Sequence, residues 1–316
     1  MADHTNPDAA PPPPVCGPSL GDLIGALRPS QWAKNIVVLA AFFFAFWDRS
    51  TPHRFGIGDL IDVLLAAILF CVVSSGVYVL NDIADIATDR RHPIRRNRPI
   101  AAGRVPIPMA WGLASLLIAG GAIISWLLQP EFYVVVASYV ALQIAYTFAL
   151  KRVAFVDILV IAGGFVLRAI AGAVVIRVDI SPWLLLCTFL LALFLGLCKR
   201  RHEKILVADL EAEEQRPSLE QYDQRVVDLM IAIVSGATIV AYAMYTLSQE
   251  TVRKFDTAAL GFTIPFVVFG IFRYLDLVYR HQKGDRPEKI FLTDVPTLAN
   301  LVLYAISVMI IFWINR

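Results

Sequence analysis

The sequence of 316 residues has little charge and little cysteine for its length. Charged residues make up 17% of the chain, whereas a soluble domain carries about 25%. Hydrophobic residues make up 58%, which is more than an aqueous core of this size can hold. The four cysteines, Cys16, Cys71, Cys187 and Cys198, have no paired or metal-type spacing. The composition therefore argues against a disulfide-rich or zinc-stabilised domain and predicts a membrane protein.

Several motifs of soluble enzymes are also missing. The chain has no glycine-rich phosphate loop, no HExxH and no Ser/His/Asp arrangement. None of its five histidines is placed as a general base, and only His92 and His202 lie beside charged clusters. Residues 1–22 are rich in Pro and Ala without the basic and apolar regions of a signal peptide. We expect a disordered cytoplasmic tail there, and no nucleic-acid partner.

Long apolar runs dominate the rest of the chain. A helix that spans a bilayer needs about 20 mostly apolar residues. Nine segments qualify: 31–48, 60–80, 107–128, 132–150, 155–176, 182–198, 227–247, 258–279 and 296–314. The strongly apolar part of the first segment is the shortest. We predict an all-α polytopic membrane protein in which residues 23–316 form one catalytic domain, a bundle of nine transmembrane helices.

Basic residues are distributed unevenly between the two sides of this bundle. Most of the 28 Lys and Arg residues lie before the first segment or in alternate loops after it. Because positive residues stay inside, the N-terminus is predicted to be cytoplasmic and the C-terminus periplasmic or extracellular. We expect a multi-pass protein of the inner (plasma) membrane. Its active-site loops, 81–106, 150–157 and 199–226, would face the cytoplasm.

The end of the second segment carries an acidic motif, Asn81-Asp82-x-x-Asp85-x-x-x-Asp89. On a continuous helix the three carboxylates share one face. Like charges at this spacing repel each other, and a divalent cation relieves the repulsion. Hard oxygen ligands beside a phosphate-bearing substrate favour Mg²⁺. The motif therefore predicts a magnesium site held by Asn81, Asp82, Asp85 and Asp89, with a solvated acidic helix end as the alternative.

Five arginines follow the acidic motif closely: Arg90, Arg91, Arg95, Arg96 and Arg98. One interpretation is topological, since positive charges keep a loop in the cytoplasm. The other is that guanidinium groups bind phosphate oxygens beside a metal. We favour the second interpretation for Arg95 and Arg98, which makes the loop a diphosphate site.

Further candidates lie in the other predicted cytoplasmic segments. Tyr146 and Lys151 precede the fifth span, Asp157 begins it, and Arg168 lies three turns deeper, about 16 Å along the axis. An intramembrane arginine predicts a function, with a structural ion pair as the alternative. Lys199, Arg200 and Arg201 follow the sixth span and predict anion binding. The acidic stretch after them favours a solvated helix surface, with a second metal site as the alternative. Lys34, at the start of the first span, is placed either to bind phosphate or to snorkel.

Together these residues resemble the UbiA superfamily of intramembrane prenyltransferases. Three further segments are similar to its decaprenyl-phosphate phosphoribosyltransferase branch: Leu27-Arg28-Pro29-x-Gln31-Trp32-x-Lys34-Asn35, Arg98-Pro99-Ile100-Ala101-Ala102-Gly103 and Arg168-Ala169-Ile170-Ala171-Gly172. The likeness runs from about residue 24 to the C-terminus. Members that prenylate aromatic acceptors usually have a second aspartate-rich motif between spans 6 and 7. This chain has Lys199-Arg200-Arg201 there instead.

The resemblance implies transfer of 5-phosphoribosyl from phosphoribosyl diphosphate to a polyprenyl (decaprenyl) phosphate. Pyrophosphate would leave, Mg²⁺ would be required, and ribose C1 would be inverted, supplying polyprenyl-phosphate arabinose donors for cell-wall polysaccharide. The implied catalytic residues are Asp82, Asp85, Asp89, Lys34 and Lys151. The implied substrate-binding residues are Lys34, Asn81, Arg95, Arg98, Tyr146, Lys151, Asp157, Arg168, Lys199, Arg200 and Arg201. A prenyl diphosphate:aromatic transferase and, in another class, a transporter are the alternatives; the oligomeric state stays open.

Overall fold

The structure, a computed structural model, describes residues 17–51, 53–92, 94–207, 222–281, 290–291 and 293–315. Within these residues the regular structure is helical, which confirms the all-α prediction. The α-helices are α1 Leu20–Leu27, α2 Ala40–Phe46, α3 Ile57–Ala84, α4 Ile86–Arg91, α5 Ile107–Leu128, α6 Pro130–Phe148, α7 Val156–Val175, α8 Pro182–Val207, α9 Gln224–Leu247, α10 Gln249–Phe255, α11 Ile264–Arg280 and α12 Val295–Ile314. The 3₁₀ helices are Pro29–Leu39, Arg95–Asn97, Leu150–Arg152 and Ala259–Thr263.

Eight helices in the described part of the chain are long and apolar enough to cross a membrane. They are α3, α5, α6, α7, α8, α9, α11 with the 3₁₀ turn before it, and α12. These eight correspond to the second to ninth predicted segments. Helix α8 continues past the predicted end at 198 to Val207. Lys199, Arg200 and Arg201 therefore lie on its final turns and not in a loop.

The first predicted segment has a different form. Residues Pro29–Leu39 are a 3₁₀ helix, and α2 continues from it as Ala40–Phe46. A 3₁₀ helix rises about 2.0 Å per residue and an α-helix about 1.5 Å, so the two parts together span about 32 Å. A bilayer core is about 30 Å thick. A ninth crossing therefore stays a prediction. The 3₁₀ helix and α2 together are long enough for it.

Helix α1 begins inside the segment predicted as a tail. Ser19 caps it by accepting a hydrogen bond from the Asp22 backbone N–H at 3.1 Å. Residues 1–16 of the predicted tail lie outside the described residues.

The helices form a ring in which neighbours in the chain are neighbours in space. Contacts run from α3 through α5, α6, α7, α8, α9 and α11 to α12. The ring is closed by Trp47 after α2, whose side chain stacks on Phe312 of α12 at 5.4 Å between ring centroids. One apolar core lies among α2, α3, α6 and α7, and another among α8, α9 and α11. The acidic motif lies at the end of α3 and in α4, at one end of the helix bundle.

Helix α7 packs directly on the 3₁₀ helix through Gly172. A β-carbon built on Gly172 would lie 1.9 Å from the carbonyl oxygen of Val38. Backbone atoms leave no room for a side chain, and this contact fixes α7 against the first helical segment. By contrast, the nearest atom to a β-carbon on Gly163, in the same helix, would be a Leu142 methyl at 3.6 Å.

We therefore expect Gly172→Ala to lower the free energy of unfolding by about 3 kcal/mol, the upper part of the range for overpacked cores. Gly163→Ala should be neutral or stabilising, since Ala favours a helix over Gly by about 1 kcal/mol. Thermal unfolding of both purified variants in one detergent is the measurement. Equal melting temperatures for the two variants would contradict the close approach at Val38.

Candidate active site

The acidic motif spans a break between two helices. Helix α3 ends at Ala84 and α4 begins at Ile86, with Asp85 between them at φ −100° and ψ 6°. The single helical face considered for the three carboxylates is therefore interrupted at Asp85. The backbone at Asp85 departs from helical values, and the carboxylates divide into two groups. Asp82 and Asp89 share one arginine, whereas Asp85 pairs with a lysine from another helix.

Arg98 connects Asp82 and Asp89. Its Nη1 donates to Asp89 Oδ2 at 2.6 Å and to Asp82 Oδ1 at 3.2 Å. Arg28 also forms an ion pair with Asp82. Both aspartates are buried, at 2% and 1% exposure, and a buried carboxylate needs cationic or hydrogen-bonding partners. The two arginines supply them from segments far apart in the chain.

The loop after α4 holds Arg98 in place through a compact turn. Arg104 N–H and Val105 N–H both donate to the Pro99 carbonyl, and Gly103 adopts φ +75°, the left-handed conformation that favours glycine. Ile100 and Val105 are each 1% exposed and pack on α1, α3 and α5. The Arg98–Gly103 segment is thus an anchored turn that directs one guanidinium toward two carboxylates.

Arg28 occupies the junction between α1 and the 3₁₀ helix. It has φ 53° and ψ 62°, and Pro29 follows it. A left-handed conformation is uncommon for a residue with a β-carbon and marks a position that its surroundings hold. Here the ion pair with Asp82 and a cation–π contact to Tyr78 at 5.5 Å hold the side chain.

Asp85 is bound by a lysine that follows another helix, α6. Lys151, in the 3₁₀ turn after α6, places its Nζ 2.5 Å from Asp85 Oδ1. Asn81 Nδ2 donates to Asp85 Oδ2 at 3.0 Å. The other amide atom, Asn81 Oδ1, is buried and accepts no hydrogen bond from the described residues. A buried oxygen without a donor is uncommon, and it lies next to the carboxylate of Asp85.

A second network begins where α7 starts. Asp157 is fully buried; it accepts from Arg200 Nε at 2.8 Å and from the Tyr222 hydroxyl at 2.6 Å. Before it, Phe155 adopts φ 67° and ψ −42°, and Val156 N–H donates to the Ala154 carbonyl at 2.8 Å. This is a strained γ-turn.

Tyr222 stabilises that turn as well as Asp157. Its hydroxyl oxygen accepts from the Phe155 N–H at 2.7 Å. Burial, followed by the hydrogen bond to Asp157, raises the pKa of Tyr222 well above its usual value. The phenol therefore stays protonated at neutral pH and donates to the carboxylate.

The basic cluster at the end of α8 is paired with carboxylates. Arg200, 4% exposed, also forms an ion pair with Glu203, and Arg201 Nε lies 2.7 Å from Asp228 Oδ1. The guanidinium of Arg201 stacks on the Tyr279 ring at 3.9 Å. The structure thus gives Arg200 and Arg201 positioning contacts within the protein.

Arg168 lies deep among α6, α7 and the 3₁₀ helix. It donates to Asn35 Oδ1 at 2.7 Å, to the Tyr139 hydroxyl at 2.8 Å and to the Gly164 carbonyl at 2.9 Å. These three partners are neutral, and Asp157 binds Arg200 and Tyr222 instead, so the ion-pair alternative finds no support among these contacts. Arg168 fixes Asn35 and with it the 3₁₀ segment that carries Lys34.

The remaining predicted residues lie around the same end of the bundle. Arg95 Nη2 is 3.9 Å from Glu203, and Tyr146 is close enough to Arg200 to interact with it electrostatically. Lys34 and Lys199 are half-buried on the 3₁₀ helix and on α8. Sequence reasoning missed Arg28, Tyr222 and Glu203 as site residues. Only Arg28 had a sequence signal, its position in the Arg28-Pro29-x-Gln31-Trp32-x-Lys34 motif.

Comparison with known proteins defines the class of this chain. A profile of the UbiA prenyltransferase family matches residues 35–293. The chain therefore belongs to the UbiA prenyltransferase family and is a transferase, which confirms the resemblance seen in the sequence.

Two relatives and one solved structure add detail. The decaprenyl-phosphate phosphoribosyltransferase of Mycolicibacterium smegmatis is 35% identical over 301 residues, covering 93% of this chain and 92% of the relative. The protein of the same name from Corynebacterium glutamicum is 35% identical over 86% of this chain and 81% of the relative. A UbiA homolog from Archaeoglobus fulgidus bound to GPP and Mg²⁺ has a TM-score of 0.67. That match covers 93% of this chain and 98% of the homolog at 15% identity, which shows a common fold.

Proposed function

We propose that this protein transfers a 5-phosphoribosyl group from phosphoribosyl diphosphate to a polyprenyl phosphate such as decaprenyl phosphate, releasing pyrophosphate. The observation that carries the proposal is the pairing of each carboxylate of the acidic motif with an arginine or a lysine. Relatives that match this chain over most of its length are named for this activity. The product would supply polyprenyl-phosphate arabinose donors for cell-wall polysaccharide.

The donor would enter by an exchange of ionic partners. In the structure, Arg28, Arg98 and Lys151 neutralise Asp82, Asp85 and Asp89. A diphosphate arriving with a divalent cation brings charges of both signs. The carboxylates can then bind the metal while the same arginines and lysine bind phosphate oxygens. The cations already present in the site are therefore sufficient to bind a strongly anionic substrate once the metal has taken over the carboxylates.

The residues of the motif fit a divalent cation. Among the described residues no three Asp, Glu, His or Cys side chains form a ready metal cluster. However, Asn81 Oδ1 is a buried oxygen without a donor among the described residues, and it belongs to the amide whose Nδ2 donates to Asp85. Asn81, Asp82, Asp85 and Asp89 would hold Mg²⁺ through hard oxygen ligands. When bound, the ion would neutralise charge on the departing diphosphate.

The protein's own residues then account for the transfer. Lys151 and Arg98 stabilise negative charge on the diphosphate as its bond to ribose C1 breaks. An oxygen of the lipid phosphate attacks C1 from the opposite face, forms the new C–O bond and inverts the centre. Because a phosphate monoester is already ionised at neutral pH, no general base is needed, which agrees with the absence of a suitable histidine. Lys34, Arg95 and Lys199 would bind the remaining phosphates, and Tyr146 and Asp157 would border the ribose.

The geometry suggests separate roles for the deeper charged residues. Arg200 and Arg201 would position the α7 and α9 ends that border the site, since each contacts a carboxylate of a neighbouring helix. Arg168 would hold the 3₁₀ helix through Asn35. We also propose nine membrane crossings, a cytoplasmic N-terminus and a site facing the cytoplasm of the inner membrane, where a water-soluble donor is available.

A prenyl diphosphate:aromatic transferase is the competing function, because a structural neighbour is bound to GPP and Mg²⁺. Pyrophosphate release by the purified protein separates the two. With Mg²⁺ and phosphoribosyl diphosphate, we expect release that requires decaprenyl phosphate and stops on chelation with EDTA. Release only with a prenyl diphosphate and an aromatic acid would contradict the proposal.

A further inference from the structure

A buried threonine at the end of α6, four residues before Lys151, has a hydroxyl that makes no hydrogen bond with the described residues. Thr147, in the last turn of α6, is 2% exposed, and its Oγ1 has no hydrogen-bond partner among the described residues. A buried hydroxyl without a partner loses its hydration and gains nothing in return. Valine has the same shape without that penalty, so folding gives no reason for a threonine here.

Four other Ser and Thr hydroxyls in these helices behave differently. Ser125, Thr188 and Thr238 each donate to the carbonyl four residues earlier, at 2.7, 2.8 and 2.7 Å. Ser138 does so at 2.8 Å within α6 itself. This bond is the usual way for a helical Ser or Thr to satisfy its hydroxyl. The hydroxyl of Thr147 makes no such bond in the same helix that allows one to Ser138.

The position of Thr147 connects it to the reacting end of the site. Thr147 lies four residues before Lys151, at the end of α6, and Asn81 lies four residues before Asp85, at the end of α3. Lys151 and Asp85 are in contact at 2.5 Å, and α3 packs on α6. Thr147 and Asn81 therefore each precede one partner of that ion pair, on two helices that pack on each other. Both carry a buried oxygen without a partner.

We infer that the Thr147 hydroxyl binds the ribose 2-hydroxyl of the donor, an inference that rests on the proposed function. Thr147 carries a neutral group, whereas the cation that suits a phosphate, Lys151, lies four residues further along the chain. A neutral hydroxyl both donates and accepts, which matches another hydroxyl. The diphosphate is attached to C1, and the hydroxyl nearest to C1 is that on C2. A threonine beside the diphosphate site would thus meet the 2-hydroxyl.

The test compares two donors, phosphoribosyl diphosphate and its 2-deoxy analogue, in wild-type protein and in Thr147→Val. Wild-type protein should prefer the ribosyl donor about ten- to hundredfold in kcat/KM, as expected for a site that hydrogen-bonds a substrate hydroxyl. Thr147→Val should lose about that factor with the ribosyl donor and change little with the 2-deoxy donor. Thr147→Ser, which keeps the hydroxyl, should retain the preference. The melting temperature of Thr147→Val should stay equal or rise.

The matched control is Thr238→Val, a buried threonine whose hydroxyl is satisfied by Val234. It should lose some thermal stability and keep the donor preference. Unchanged discrimination in Thr147→Val, or an equal loss with both donors, would overturn the inference alone. Failure of Thr147→Val to fold would also overturn it, because an unbonded hydroxyl contributes nothing to folding. Inactivity of wild-type protein with phosphoribosyl diphosphate would overturn the proposed function as well.

Discussion

Asp85→Asn should reduce kcat/KM for pyrophosphate release by about a thousandfold, equivalent to ~4 kcal/mol of transition-state stabilisation. Asn keeps the size of the side chain and an oxygen that can accept from Asn81 Nδ2, which donates to Asp85 at 3.0 Å. It removes the charge that pairs with Lys151 in the structure and that would bind the metal in the complex. The loss should therefore appear in turnover and in the Mg²⁺ concentration needed for half-maximal rate.

Asp276→Asn is the matched control for this change. Asp276 also lies at the end of a spanning helix and pairs with Arg273 and Arg280, but it is not part of the acidic motif. Its variant should stay within about threefold of wild-type activity, since partly exposed ion pairs are worth little. If both variants lost activity equally, general electrostatics and not the acidic motif would control turnover.

Arg98→Ala should lower the free energy of unfolding by about 3 kcal/mol, the effect of removing one partner of a buried ion pair. Arg98 contacts two carboxylates that are almost completely buried. Asp82 keeps its ion pair with Arg28, whereas Asp89 loses its ion pair with Arg98, so most of the lost stability should come from Asp89. The activity should fall at least a hundredfold for the same substitution, because the cation that would bind the diphosphate is lost too.

The two effects of Arg98→Ala can be separated. Thermal unfolding without substrate reports the structural effect, and kcat/KM on the folded fraction reports the catalytic one. Arg104→Ala, in the same loop, removes an exposed ion pair with Asp22 and an exposed hydrogen bond to the Asn97 carbonyl, and should change stability by only about 1 kcal/mol. A melting temperature for Arg98→Ala as high as that of Arg104→Ala would contradict the bridging role.

Features with a local cause were predictable from the sequence. Apolar runs of sufficient length gave the segments that the structure forms as α3, α5 to α9, α11 and α12. The clustering of acidic and basic residues pointed to the end of the bundle where Asp82, Asp89 and Arg98 meet. Each of these depends on residues close together in the chain, so periodicity and composition are enough to recognise them.

Features that depend on tertiary packing were not predictable in this way. The ion pair of Arg28 with Asp82 joins residues that no local period relates, and so does the hydrogen bond of Tyr222 to Asp157. The break at Asp85 separates the carboxylates into two groups, although the sequence allows one continuous helix. The 3₁₀ form of residues 29–39 goes with the clamping of Asn35 by Arg168 and the close approach of Gly172. Neither contact can be predicted from the helix propensities of residues 29–39.

The mass of the lipid product tests the central claim most directly. Purified protein in lipid nanodiscs would be incubated with Mg²⁺, phosphoribosyl diphosphate and decaprenyl phosphate, and the extracted lipid analysed by mass spectrometry. We predict a lipid heavier than the acceptor by one ribose 5-phosphate residue, linked as a phosphodiester with the inverted configuration at C1. Unmodified decaprenyl phosphate, beside a prenylated aromatic acid made by the same protein from a prenyl diphosphate, would contradict the account.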